Sequence, residues 1–95
     1  MVGILQVELH LPSCRSLKEK RAVIRPIVTS ARARYSVAVA EVGFQELHQR
    51  SALEVAAVAS VEHVVTGMLD AVERLVWAAS DAEVVSCTRS WLESD

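Results

Sequence analysis

The chain has 95 residues, 52% of them hydrophobic and 23% charged, with a formal net charge of −2. That hydrophobic share excludes a disordered chain. The length predicts one domain over 1–95, small enough to favour self-association. Two cysteines and three histidines are too few and too scattered for an iron–sulfur or zinc centre, and no uncharged apolar run nears the roughly 20 residues of a membrane span.

The net charge conceals an asymmetry. Residues 1–50 carry eight basic and four acidic side chains; residues 51–95 carry two basic and eight acidic. Seven of the ten basic residues fall between Ser13 and Arg34, with Glu19 the one acid among them. Aromatics are scarce (Tyr35, Phe44, Trp77 and Trp91), so the core has to be built from Val, Leu, Ile and Ala.

Val2–Leu11 alternates, with Leu5, Val7, Leu9 and Leu11 on one side and Gln6, Glu8 and His10 on the other. That is a strand with one buried and one wetter face, stopped by Pro12. No signal peptide is expected from such an alternating, charged start. Ser16-Leu17-Lys18-Glu19 fits a capping box, opening a first helix on Leu17, Ile24, Val28, Ala31 and Tyr35. Pro26 lies inside it and predicts one kinked helix or two pieces.

Ser36–Phe44 reads as a second strand whose inward face is ambiguous between Val37/Val39 and Ala38/Ala40/Val42. Gln45–Gln49 is a loop, and Ser51–Ala59 a third strand with Leu53, Val55, Ala57 and Ala59 on one face and Glu54 opposite. Ser60 is the expected N-cap of a second helix carrying Val64, Val65, Met68, Leu69, Val72, Leu75, Val76 and Ala79. Glu83–Trp91 is a last strand, with Val85, Cys87 and Trp91 as its core face, followed by the polar tail 93–95. The order strand, helix, strand, strand, helix, strand predicts an α+β, ferredoxin-like βαββαβ fold. The expected sheet order is 4-1-3-2, four antiparallel strands with both helices on one face, because crossovers between parallel strands are right-handed.

The first helix carries the strongest functional signal. Lys18, Arg21, Arg25 and Arg32 fall within about 60° of one another at 100° per residue. Such a row can track phosphates, and Arg15 and Ser16 stand at a helix N-terminus, a generic anion site. A solubilising face is the bland alternative. The open sheet face lacks an aromatic platform and carries Glu8 and Glu54, which argues against stacked RNA there. The loop side chains Gln45, His48, Gln49 and Arg50 can meet a partner or brace their own turn. No residues form a catalytic constellation, and no cofactor or metal is expected. Cys14, beside Arg15 at a helix start, reads as an inert thiol ahead of an activated one.

Four stretches, Val2–Pro12, Arg15–Arg21, Ser36–Val42 and Gln45–Arg50, together resemble the YlxP-like family of small uncharacterised bacterial proteins. The resemblance covers nearly the whole chain. It implies a ferredoxin-like fold and a cytoplasmic protein, often encoded beside transcription-termination, translation-initiation and ribosome-maturation factors. It implies no activity or catalytic residue. Phe44 and His48 stand where the family usually has His and Trp, and Pro26 is unusual in its first helix. The resulting expectation is a non-enzymatic accessory protein meeting RNA or the ribosome through the basic helix. The alternatives are a homodimer or higher oligomer acting as a protein-interaction module and, third, a small-molecule-binding regulatory domain.

Overall fold

The computed structural model describes residues 1–92; the polar tail 93–95 lies outside the described residues. The elements run β1 (Val2–His10), α1 (Leu17–Tyr35), β2 (Ala38–Gly43), β3 (Arg50–Val58), α2 (Glu62–Trp77) and β4 (Glu83–Leu92). The sheet order is β2-β3-β1-β4 with every neighbour antiparallel, which is the expected 4-1-3-2 arrangement. The central strands β1 and β3 pair from Val2 opposite Val58 to His10 opposite Arg50. Their inward residues Leu5, Val7, Leu9, Leu53, Val55 and Ala57 are buried beneath the helices.

The helix layer closes over β1 because Gly3 lacks a side chain. A Cβ there would stand 2.6 Å from Val65 Cγ1 and 3.0 Å from Leu69 Cδ1, both on α2. Val65, Leu69, Val72 and Val76 form the buried stripe of α2, while Val64 is 44% exposed and stands off the core. Ser60 does not cap this helix. The N-cap is Val61, which makes no side-chain cap bond, and the amides of Val64 and Val65 bond to the Val61 carbonyl. The helix starts one residue later than expected, leaving the Ser60 hydroxyl outside capping position.

α1 is one helix through Pro26, not two pieces. Its buried residues are Lys20, Ile24, Ile27 and Ala31, so Ile27 replaces Val28 as the core contact. At 100° per residue the true core line is rotated by about 40° from the expected one. Around β2 the ambiguity resolves toward Val37, just before the strand, and Val39, which are buried, while Ala38, Ala40 and Val42 face out. On β4 a register shift opposite Glu8/Leu9 puts Val84 beside Leu9 and leaves Val85 54% exposed. Val85 is therefore not a core residue; a bulge re-aims the side chains beyond it. Cys87 keeps the expected inward place opposite Val7, half-buried against the core, whereas Trp91 has the inward parity opposite Gly3 but is 40% exposed at the end of the edge strand and is not a core residue.

Candidate nucleic-acid interface

The start of α1 is a variant of the capping box, in which Glu19 reaches past the N-cap Ser16 to the Arg15 amide. Ser16 Oγ accepts from the Glu19 amide at 3.1 Å, and Glu19 Oε2 accepts from the Arg15 amide at 2.7 Å. The chain's own carboxylate thus sits beside the helix start, on the amide just before the N-cap. The Arg15 side chain remains exposed, but the N-terminal amides of α1 are already partly satisfied.

Lys18, Arg21, Arg25 and Arg32 are all exposed on the outer side of α1. Lys18, Arg21 and Arg25 surround a shallow depression of about 410 Å³ with Ala22 and Pro26 in its lining. Small side chains between the cations leave the helix backbone close to the surface. Among the described residues no carboxylate lies within ion-pair distance of these three. Arg32 is partly committed, since its Nη2 donates to the Val39 carbonyl. The row from Lys18 to Arg32 spans about 21 Å along the axis.

Lys20 belongs to a different assembly, one missed in the sequence. It is 3% exposed and its Nζ lies 3.0 Å from Glu41 Oε2. The same ammonium donates to the carbonyls of Phe44, Leu47 and Arg50 at 2.9, 2.8 and 3.1 Å. The buried Ser51 hydroxyl donates to Glu41 at 2.6 Å. Lys20, Glu41 and Ser51 share one inward-facing end of the sandwich. The available signal was parity: Lys20 lies on the Ile24–Ile27–Ala31 side of its helix, and Ser51 precedes Leu53 and Val55 at spacing two.

The loop after β2 is braced largely by its own side chains. Gln49 Nε2 donates to the Pro12 and Cys14 carbonyls, both at 3.3 Å, and Gln45 Nε2 to the Glu41 carbonyl at 3.3 Å. Arg50 pairs with Glu8 and lies 4.7 Å over the Phe44 ring. His48 is exposed. Three of the four residues considered for partner contact therefore spend hydrogen-bonding capacity inside the molecule.

Neither thiol is activated. Burial pushes the Cys14 thiol up, helped by the charges of Glu19 and Asp81. Burial, then the charge and hydrogen bond of Glu73, push Cys87 up to about 11. Among the described residues no three His, Cys, Asp or Glu side chains gather as a metal site would require, and no helix is long and apolar enough to cross a membrane.

Fold and surface together define a small ferredoxin-like α+β sandwich protein with a cationic first helix. The chain belongs to the family described as protein of unknown function (DUF503), whose profile matches residues 2–89. It is 38% identical over 60 residues to the uncharacterized protein YlxP of Bacillus subtilis (strain 168), a match covering 63% of this chain and 65% of that relative. The matched segment thus spans a little under two thirds of YlxP. Among solved structures the chain is similar to the de novo designed protein Foldit4, with a TM-score of 0.64 at 11% identity, covering 98% of this chain and 100% of that one. It is also similar to the structural-genomics protein YJCS, at 0.62 and 10%, covering 98% and 100%. The designed ferredoxin-fold protein LFR1 1 matches at 0.55 and 10%, covering 100% and 95%. At these identities the likeness shows the fold alone.

Proposed function

We propose that this chain is an accessory protein that binds RNA or a ribonucleoprotein through α1, with Lys18, Arg21, Arg25 and Arg32 on phosphates and Arg15 at the helix start. The observation that carries the reading is selective pairing. The protein is acidic overall, and it pairs Lys20 with Glu41, Arg50 with Glu8, and Arg89 with Asp70 and Glu73. Among the described residues Lys18, Arg21 and Arg25 stay without such partners together on one exposed face, while the exposed Arg34 and Arg74, also outside these ion pairs, do not belong to that row. A row of unpaired cations on a rigid helix suits a polyanion, whose counterions it displaces. The capping box narrows the role of Arg15 and Ser16: Arg15 contributes its guanidinium, while Ser16 positions the helix.

The test is co-sedimentation with ribosomal subunits and titration of RNA at low and moderate salt. With about four phosphates of single-stranded RNA neutralised, a fourfold rise in salt lowers affinity roughly 50-fold. The double variant Arg21→Glu/Arg25→Glu abolishes binding while leaving the fold intact, because both side chains are exposed. Binding indifferent to salt and to that variant would overturn the reading.

A further inference from the structure

The sheet face opposite the helices has a composition that strand stability does not explain. Ile4, Ala38, Ala40, Val42, Ala52 and Ala56 point out of it. Alanine is a poor strand former, and a solvated sheet face ordinarily carries alternating polar residues. What four outward alanines do provide is a low floor that another sheet can approach closely.

The polar groups of this face are turned toward one another. Glu8 is held by Arg50, and Glu54 accepts from Gln6 Nε2 at 3.3 Å. Ser86, Thr88 and Ser90 on β4 add only hydroxyls. The face therefore offers no free lysine or arginine for an acidic partner to pair with. Two shallow depressions lie on it. One depression of about 230 Å³ is lined by Gln6, Val42, Ala52 and Thr88 among others, and a second of about 310 Å³ by Ala40, Val42, Glu54 and Ala56 among others.

The dimensions suffice for a dimer. Strands of nine, six, nine and ten residues, side by side at about 4.8 Å, make a face of about 540 Å². Two such faces bury about 1,100 Å², above the roughly 1,000 Å² that separates a specific interface from a casual contact. We infer that the open sheet face binds a second copy of this chain, sheet against sheet about a two-fold axis, leaving both α1 helices on the outside.

The experiment is sedimentation velocity on the full chain across the micromolar range, for the wild type and for two outward-facing variants. Ala56→Lys puts a charge on the alanine floor, and Thr88→Arg puts one on the exposed edge strand, where folding is not at stake. Far-UV circular dichroism and a cooperative melt establish that each variant is folded. The expected result is a wild-type dimer and folded monomeric variants. A monomeric wild type throughout the range, or a wild-type dimer that survives in a folded Thr88→Arg protein, overturns the inference. Arg21→Glu/Arg25→Glu is expected to remain a dimer, because α1 lies on the opposite layer.

Discussion

Lys20 Nζ stands 3.0 Å from Glu41 Oε2 in a site where the lysine is 3% exposed. The single ammonium also holds three carbonyls of the loop between β2 and β3. One side chain from the cationic segment thus organises the interior, while its neighbours Lys18 and Arg21 face water. The helix divides its charges between two jobs according to the face they occupy.

Removing that ammonium while leaving its partners is expected to be costly. Lys20→Met strands Glu41 and three carbonyls and lowers stability by about 3 kcal/mol, the low end for breaking a buried pair because Glu41 keeps some solvent. Urea unfolding measures this. Adding Glu41→Leu to the same chain restores part of the loss, since an uncompensated carboxylate then disappears. Faster amide exchange confined to residues 44–50 in Lys20→Met identifies the loop as what the lysine holds.

Gly3 is expected to resist even the smallest side chain. Its new Cβ would meet Val65 Cγ1 at 2.6 Å, and a β-branched valine in a packed stripe has few rotamers to retreat into. Gly3→Ala is therefore destabilising by about 1–3 kcal/mol despite the better strand residue. Combining it with Val65→Ala gives a loss smaller than the sum of the two single losses, because the second change vacates the space the first one needs. Thermal melts of the four proteins check the non-additivity.

The parts of this fold that were legible are those in which side-chain size and polarity alternate without interruption. β1 and β3 show such alternation, and their inward faces emerged as read. β2 mixes valine with alanine on both parities, so hydrophobicity alone did not separate its faces; burial of the larger Val37 and Val39 did. Val85 misled because the bulge opposite Glu8 and Leu9 shifts register by pairing, which a single strand's pattern does not display. Lys20 was hidden by its neighbours: inside a run of cations its charge looked like more of the same surface. The exposed row itself was legible, because Lys18, Arg21, Arg25 and Arg32 need only helical spacing and an acid-free face.

The two thiols are expected to alkylate slowly, Cys87 with a distinct pH profile. Its pKa of about 11 leaves roughly a hundredfold less thiolate at pH 8 than an ordinary value of 9.0 would. Iodoacetamide labelling of Cys87 in a Cys14→Ser background therefore accelerates about tenfold per pH unit until near pH 11. The stability linkage has the same origin. The folded pKa lies above the unfolded one, so the native state holds this proton more tightly. The contribution is complete below pH 9 and declines as pH rises from 9 toward 11. Melting temperatures of wild type and Cys87→Ser thus converge across that interval.

Pro26 offers the sharpest test of how α1 carries its surface. It lies ten residues into a nineteen-residue helix, is exposed, and belongs to the lining between Lys18, Arg21 and Arg25. A proline inside a helix forfeits one backbone hydrogen bond and crowds the preceding turn, at about 3 kcal/mol relative to alanine. Introducing alanine also frees the unfolded chain, which offsets about 1 kcal/mol of that gain. Pro26→Ala is therefore expected to stabilise the protein by about 1–2 kcal/mol, read as a higher urea midpoint at unchanged slope. The two effects oppose each other, so the sign of the result decides between them. A stabilised variant means the helix tolerates Pro26 against its own preference. An unchanged or lower midpoint means that Ile24, Ile27 and Ala31 have packed around the geometry proline imposes, so that replacing it disturbs the core more than the recovered hydrogen bond contributes.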